Sequence, residues 1–94
     1  IPLSEIVYFE SRNHALEVWT RDGVQNFWLS LSDVEKLLPP GRFCRSHVSY
    51  LVNLDYVEQV GRKEVLLSNG TRIPISRANY ETFQERLIRF LNQK

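Results

Sequence analysis

The sequence predicts a mainly β domain of small antiparallel hairpins, with one short helix mid-chain and one helix at the C-terminal end. Short apolar runs separated by turn dipeptides fill the first three quarters of the chain, and this pattern favours hairpins over alternating strand–helix units. Apolar residues at helical spacing follow Ser30 and again follow Ser76. Of the 94 residues, 43% are hydrophobic and 12% aromatic. One modest core can therefore form, and we expect residues 1–94 to be a single domain.

Three strands are predicted in the first third of the chain. The alternation over Glu5–Glu10 predicts a shared face for every second residue, Ile6 with Tyr8 and Val7 with Phe9. Over 15–20 it places Leu16 and Val18 on one face, and Asp22-Gly23 then turns the chain into a strand over 24–29. At strand spacings such as these, large aromatic residues are usually core. We therefore expect five of them to be buried: Trp19, Phe27, Trp28, Phe43 and Tyr50.

The strongest hairpin signal is Asn69-Gly70, which joins an apolar run over 64–68 to another over 71–75. Both residues tolerate the positive φ of a type I′ turn, so we expect that turn type here. Further upstream, Asn53 closes the apolar run Tyr50-Leu51-Val52. An asparagine at a strand end commonly satisfies backbone groups, and we expect this structural role for Asn53.

Two helices are predicted. Ser30 or Ser32 can cap the first, whose apolar stripe ends at Pro39-Pro40-Gly41 and consists of Leu31, Val34, Leu37 and Leu38. The second begins near Ser76. Its periodicity predicts a buried side with Tyr80, Phe83, Leu87, Phe90 and Leu91, and a solvent side with Glu85, Arg86 and Arg89. This helix should close the domain.

Composition excludes several classes of protein. One cysteine and two histidines are too few for a disulfide or a structural zinc site. Cys44 and His47 also lack the further ligands or the orienting acid that catalysis would need, so we expect no enzyme, metal or cofactor. No apolar run approaches a membrane span and no signal peptide opens the chain, which predicts a soluble, cytoplasmic protein. The absence of methionine suggests a piece of a longer polypeptide.

The distribution of charge says more than its total of +1. There is no acidic residue between Glu35 and Asp55, and between Glu64 and Glu81 the only charged residues are Arg72 and Arg77. Arginine accounts for nine of the twelve cationic residues, and its planar fork suits phosphate and guanine edges. These two windows predict an anion-binding surface, although charge alone is equally compatible with an ordinary solvated surface.

Four blocks of sequence in this order resemble the LytTR DNA-binding domain, the output module of many bacterial response regulators. The blocks are Leu3-Ser4-Glu5-Ile6-Val7-Tyr8-Phe9-Glu10-Ser11, then Leu29-Ser30-Leu31 with Leu37-Leu38-Pro39, then Phe43-Cys44-Arg45-Ser46-His47-Val48-Ser49-Tyr50-Leu51-Val52-Asn53, and finally Asn69-Gly70 with Ile73-Pro74-Ile75-Ser76-Arg77. The resemblance implies an elongated, mainly β fold of small sheets and short helices. It also implies DNA binding through loops, usually with bending of the DNA.

The chain departs from the family pattern in two places. The usual first strand, upstream of the first hairpin, is missing, which could leave an edge strand unpaired. Val48 stands where the family generally has a polar or basic residue. From Val48 we therefore expect contact with a thymine methyl group instead of a polar contact.

The resemblance points to two base-reading regions. Arg77 matches the family's arginine at the start of the last helix, and an arginine can contact guanine O6 and N7 together. The alternative is a solvated arginine paired with Glu81 one turn on, but the helix dipole disfavours a cation at this helix end. The second region is the tip of the first hairpin, with His14 as the main contact and Arg12 and Asn13 as its neighbours. A generic turn explains this tip equally well, because Asn13 tolerates left-handed conformations.

The remaining candidate residues are predicted to contact phosphate. Arg45 and His47, with the hydroxyls of Ser46 and Ser49, precede a buried strand and can position the DNA backbone, although His47 could instead be a core-edge residue. Ser76 and Asn79 lie in the first turn of the last helix, where free N–H groups favour phosphate. Helix capping alone would also explain Ser76.

The sequence thus predicts the DNA-binding output domain of a two-component transcription regulator. By resemblance, its partners would be promoter repeats in double-stranded DNA, an attached receiver domain, a cognate histidine kinase and a second copy of the chain on DNA. No membrane partner is expected. The alternative is a protein–protein interaction module that uses the same loops or an exposed edge strand.

Overall fold

The computed structural model describes residues 1–93 and arranges eight strands in two antiparallel sheets with two α-helices. The first sheet has the spatial order β3-β2-β1-β5-β4. Its strands are β1 (Ile6–Arg12), β2 (Ala15–Thr20), β3 (Gly23–Phe27), β4 (Phe43–His47) and β5 (Tyr50–Asn53). The second sheet contains β6 (Val57–Val60), β7 (Glu64–Leu67) and β8 (Arg72–Pro74). The helices are α1 (Leu31–Leu37) and α2 (Arg77–Asn92).

The predicted mainly β class with two such helices is confirmed, but the expected elongated outline is not observed. The molecule measures 32 × 27 × 26 Å, because the first sheet is covered on both faces. One buried cluster joins this sheet to the second sheet and α2, and a second cluster lies beneath α1.

The simple alternation predicted for β1 is wrong. All residues from Ile6 to Glu10 are buried; Val7 and Tyr8 belong to the cluster under α2, whereas Ile6 and Phe9 belong to the cluster under α1. A register shift between Ile6 and Tyr8 in the pairing with β2 interrupts the two-residue period. The prediction for β2 is confirmed, since Leu16 and Val18 pack in the same cluster.

The type I′ turn that was predicted at Asn69-Gly70 is found at the first hairpin instead. Asn13 and His14, with φ of 51° and 65°, form the two-residue loop between β1 and β2, and this pair of positive φ values is the signature of a type I′ turn. The predicted Asn69-Gly70 hairpin is present, but only Gly70 has positive φ, at 90°. There the Gly70 N–H donates to Leu67 O at 2.9 Å, so a β-turn followed by a left-handed glycine replaces the expected type I′ turn.

Helix α1 begins as predicted after Ser30, whose Oγ accepts the Asp33 N–H at 3.0 Å. Leu31 and Val34 are buried, and Leu38 packs beside them. Leu37, predicted in the same stripe, is 79% exposed. In a helix of only two turns, the apolar stripe covers too narrow a sector to include it.

Helix α2 crosses the second sheet and the β4 end of the first, with Phe83 fully buried and Tyr80, Leu87 and Phe90 packed around it. Leu91, predicted on the buried side, is exposed. Arg86, predicted on the solvent side, donates from Nη2 to the Phe43 carbonyl at 3.1 Å. The helix therefore buries a face rotated slightly from the one that the sequence pattern predicts.

The expected aromatic core is only partly observed. Phe43 is buried, and Trp19 and Tyr50 pack against the core. Phe27 is 39% exposed and Trp28 86% exposed, because Phe27 ends the exposed edge strand β3 and Trp28 follows it. The structural prediction for Asn53 is confirmed, since its buried Nδ2 donates to Ile6 O at 2.8 Å and its Oδ1 accepts the Asp55 N–H at 3.0 Å.

Candidate nucleic-acid interface

Three turns that lie far apart in sequence meet at one end of the first sheet. The Ser11 N–H donates to Ser49 O at 2.9 Å and connects the β1–β2 tip to the β4–β5 turn. The Ser76 N–H donates to Ser46 O at 2.8 Å and connects the end of β4 to the start of α2. We call the surface made of residues 12–14, 47–49 and 76–79 the loop face. It brings together nine of the eleven predicted contact residues, and Arg45 and Ser46 lie directly beside it.

Ser46 connects these elements and is not available to DNA. Its side chain is fully buried, and its Oγ donates to Pro74 O at 3.0 Å. A register shift between Arg45 and His47 places Ser46 as an extra residue in β4 and turns it inward. The expectation that Ser46 donates to phosphate is therefore wrong, and its role is to join β4 to the segment before α2.

Arg45 is held by three contacts within the chain. Its Nε lies 3.2 Å from Glu35 Oε1, Nη1 donates to Val48 O at 2.8 Å, and Nη2 donates to Ser32 Oγ at 3.2 Å. These contacts fix the β4–β5 turn against α1. Arg45 is thus positioned to support the turn, with only its remaining N–H groups free for a ligand.

The β4–β5 turn presents an apolar tip beside a hydrogen-bond donor. Val48 is 73% exposed at the tip. His47 Nδ1 accepts the Ser49 N–H at 3.1 Å, so the neutral ring carries its proton on Nε2, the nitrogen that is left to donate. The ring also meets Tyr50 edge-on, with centroids 5.8 Å apart. His47 is therefore a core-edge residue with one donor still available.

The tip of the first hairpin is exposed. Arg12 Nε lies 3.3 Å from Glu10 Oε2, which leaves the rest of the guanidinium toward solvent. Next to the tip, His14 lines a shallow concavity with Ser11, Trp28, Leu29 and Ser30. The left-handed φ of His14 is uncommon for a residue with a Cβ. Such strain is often found where a side chain must be held in one place.

The start of α2 contains the most available cation of the loop face. Arg77 is exposed, and its side chain makes no hydrogen bond or ion pair with any residue in 1–93, so the alternative pairing with Glu81 is not formed. Ser76 occupies the N-cap position, but its side chain accepts no backbone N–H. Instead Asn79 Nδ2 donates to Ser76 Oγ at 2.7 Å. The Ser76 hydroxyl hydrogen and the side-chain Oδ1 of Asn79 remain available for hydrogen bonds to a ligand.

Glu10 and two tyrosines, Tyr8 and Tyr50, lie beneath the β1–β2 tip and the β4–β5 turn. Tyr8 and Glu10 are buried and Tyr50 is half-buried. Burial and the nearby Glu10 charge raise the pKa of Tyr8 to about 12. Burial also raises the pKa of Tyr50, and the nearby Glu10 charge adds to that rise. The Tyr50 phenol therefore stays protonated beside Glu10, which itself pairs with Arg12. This chain of contacts links the start of β5 to the β1–β2 tip.

Two features of this end were not predicted from the sequence. Arg62 and Lys63, in the β6–β7 turn, line one concavity together with Arg77; their adjacency to each other after Gly61 is a weak local signal for it. Trp28 was assigned to the core and lies exposed beside His14. Within the described residues, no group of three or more His, Cys, Asp or Glu side chains is arranged to hold a metal. No helix in residues 1–93 is both long enough and apolar enough to cross a membrane.

A two-sheet β domain with arginine-bearing turns gathered at one end belongs to the class of small domains that present loops from a rigid scaffold. The model of a protein family described as the LytTr DNA-binding domain matches residues 1–88 of this chain. The chain therefore belongs to the LytTr DNA-binding domain family.

Individual relatives agree with this assignment. The sensory transduction protein LytT of Enterococcus faecalis is 26% identical over 89 residues, covering 88% of this chain and 37% of that protein. The transcriptional regulatory protein BtsR of Escherichia coli K12 is 28% identical over 91 residues, covering 90% and 37%. The CO-responsive transcriptional regulator RcoM of Rhodospirillum rubrum is 33% identical over 79 residues, covering 78% and 34%. The chain thus spans little more than a third of the length of these relatives.

A solved structure shows the same fold. A LytTr DNA-binding domain from Bacillus cereus superposes with a TM-score of 0.83 at 26% sequence identity, covering 94% of this chain and 84% of that chain. The fold class and the family that the sequence blocks indicated are both confirmed.

Proposed function

We propose that residues 1–94 form the output domain of a two-component transcription regulator, and that it reads duplex DNA through the loop face. The observation that carries this proposal is Arg77, an exposed arginine at the start of α2 whose side chain has no partner within residues 1–93. The Ser76–Ser46 hydrogen bond holds it beside the β4–β5 turn. A base-reading arginine needs its donors free in this way.

Each contact residue is assigned a role from its surroundings. Arg77 contacts a guanine edge, and His14, flanked by Asn13 and Arg12, enters the groove as a second reader. The exposed Val48 touches a thymine methyl. The free Nε2–H of His47, with Ser49, Ser76 and Asn79, positions the sugar–phosphate backbone. Arg45 supports the turn that presents Val48, through its bond to the Val48 carbonyl.

The proposal extends to the rest of the regulator. The chain is a single domain of a longer cytoplasmic protein whose receiver domain is phosphorylated by a histidine kinase. Phosphorylation would favour a pair of copies on repeated half-sites in a promoter. The names of LytT, a sensory transduction protein, and BtsR, a transcriptional regulatory protein, agree with a regulator of transcription that responds to a signal. The chain spans 37% of each of those proteins, which leaves room for an attached domain. No reaction and no cofactor is part of the proposal.

The direct test is selection of bound duplexes from a random DNA pool by the 94-residue chain. We expect one short motif to be enriched, with a guanine at the position that Arg77 reads. The Arg77→Ala variant provides the control, since it should enrich the motif with that position relaxed. If the wild-type chain enriches no sequence, the proposal is wrong.

One observation favours a second candidate function, that of a protein-interaction module. Every residue of the edge strand β3 is exposed, and Trp28 follows it with 86% exposure. Such an edge can pair with a strand of another protein. The two functions differ in their response to salt, since affinity for DNA falls on log–log axes by about 0.9 per neutralised phosphate. Binding to a protein through β3 and Trp28 would change little with salt and would be lost in Trp28→Ala.

A further inference from the structure

The second sheet presents two cations next to the loop face. Arg62 and Lys63 form the turn between β6 and β7, and they face Arg77 across a concavity of about 500 Å³ whose floor includes Tyr80. The only acidic residue that lines it is Glu81. The sequence places Arg62 fifteen residues before Arg77, so only the fold brings these charges together.

Backbone hydrogen bonds fix this turn beside α2. The Gly61 N–H donates to Glu64 O at 2.9 Å and closes the turn. The Ile75 N–H donates to Lys63 O at 3.0 Å, so the turn is attached two residues before Arg77. A side chain at Gly61 would approach Glu64 O to 3.2 Å, which disfavours any larger residue in this tight turn. The position of Lys63 relative to Arg77 is therefore set by the main chain.

Arg62 is held in place without losing its charge to a carboxylate. Its Cζ lies 5.4 Å from the centroid of the Tyr80 ring, at cation–π distance. The Tyr80 hydroxyl in turn accepts a hydrogen bond from Gln84 Nε2 at 3.0 Å, which steadies the ring. A guanidinium lying over a ring face keeps its N–H edge free to donate to a phosphate.

These three cations lack an ion pair within residues 1–93, unlike the three arginines of the chain that pair with a glutamate. Arg12, Arg45 and Arg72 each lie within 3.3 Å of a glutamate oxygen. No carboxylate within residues 1–93 pairs with Arg62, Lys63 or Arg77. Three exposed, unneutralised cations at fixed positions around one concavity favour an extended polyanion.

We infer that the Arg62–Lys63 turn binds phosphates of the duplex DNA backbone next to the base that Arg77 reads. The second sheet is then part of the DNA interface as well as a support for α2. This inference rests on the proposed function. The turn is expected to strengthen binding to DNA without adding to the preference for a base sequence. Phosphate contacts carry no base information of their own.

The test compares two double variants of the 94-residue chain on a duplex that carries the motif enriched from the random pool. In Arg62→Ala/Lys63→Ala the turn is neutralised. The matched control, Lys36→Ala/Arg89→Ala, also removes one lysine and one arginine, both exposed and without an ion pair within residues 1–93. Arg89 lies twelve residues beyond Arg77 on α2, or about 18 Å along the helix.

Loss of two phosphate contacts should lower the log–log salt slope by about 1.8. Between about 50 and 200 mM salt, wild-type affinity should then fall roughly tenfold further than that of the turn variant. The control should keep the wild-type slope, and both variants should enrich the same motif. Shortening the duplex from one of its two ends should remove the difference in salt slope between the wild type and the turn variant, because the phosphates that the turn contacts would then be absent.

The outcomes separate this inference from the proposed function. If the turn variant keeps the wild-type slope while the wild type still enriches a motif, the inference is wrong and the proposed function stands. A changed motif in the turn variant would also overturn the inference, because it would show base reading by the turn. If the wild type enriches nothing, both fail together. Circular dichroism melts of both variants check that these surface changes leave the fold intact.

Discussion

The end of β4 and the first turn of α2 lie side by side, and each has an arginine, but the two arginines have opposite surroundings. Arg45 makes three contacts with Glu35, Val48 and Ser32, whereas Arg77 makes none within residues 1–93. Proximity to a candidate interface therefore does not make an arginine a reader. The availability of its donors separates an arginine that can read a base from one that holds the scaffold.

The two hairpin tips show a related contrast. In the β7–β8 tip the single left-handed position is occupied by Gly70, for which positive φ carries no steric penalty. At the β1–β2 tip both central residues are left-handed, and the second is His14. A glycine would be more favourable there, so the histidine side chain is retained at some cost in stability. This contrast supports a binding role for His14.

The largest effect is expected from Arg77→Ala. Loss of a bidentate arginine contact should weaken binding to the enriched duplex by about 1–3 kcal/mol and relax the preference at one base position. The free energy of unfolding should stay within about 0.5 kcal/mol of wild type, because the side chain pairs with none of the residues that the structure describes. Fluorescence anisotropy titrations and denaturant unfolding measure the two quantities. If binding weakens equally for all sequences, Arg77 contacts phosphate instead of a base.

Arg45→Ala should give the opposite pattern. Its hydrogen bonds connect the β4–β5 turn to α1, so we expect the free energy of unfolding to fall by about 1–2 kcal/mol. The enriched motif should not change. Arg45→Lys is the matched control and should recover only part of the stability, because one ammonium group cannot replace the planar fork. An altered motif in Arg45→Ala, with stability unchanged, would make Arg45 a reader and remove the contrast with Arg77.

The smallest effect is expected at the hairpin tip. His14→Gly should raise the free energy of unfolding by up to about 1 kcal/mol, because it removes a Cβ from a left-handed position. The same change should weaken specific binding more than non-specific binding. His14→Ala is the control, since it loses the imidazole but keeps the Cβ. Unchanged affinity for the enriched duplex in both variants would show that His14 lies outside the interface.

Local sequence signals predicted the elements well where the signal itself is local. The Asn69-Gly70 hairpin and the Ser30 cap follow from short-range chemistry, and both form. The family blocks likewise located the loop face. Predictions of burial failed where burial depends on which element of the fold packs against the residue. Trp28 has the composition of a core residue, but the position of β3 at the sheet edge leaves it uncovered.

The sequence predicted which residues lie at or beside the loop face better than it predicted the contacts that these residues make. An extra residue in β4 turns Ser46 inward and leaves Ser49 at the surface, and no local pattern shows where such a residue falls. The contacts of Arg45 with Ser32 and Glu35 join residues that are thirteen and ten positions apart in the sequence. The Arg62–Lys63 turn is joined to the segment before Arg77 by the hydrogen bond between Lys63 and Ile75. Long-range pairing decides all three.

The buried Ser46 has a mechanical consequence for the proposed binding of DNA. Because its hydroxyl and carbonyl hold Pro74 and Ser76, the Val48 tip and Arg77 are kept at one spacing, to which a bound duplex would have to fit. Any mismatch in shape must then be absorbed by bending or twisting of the DNA, whose stiffness depends on its base steps. Base pairs that touch no side chain should consequently influence affinity through their flexibility alone.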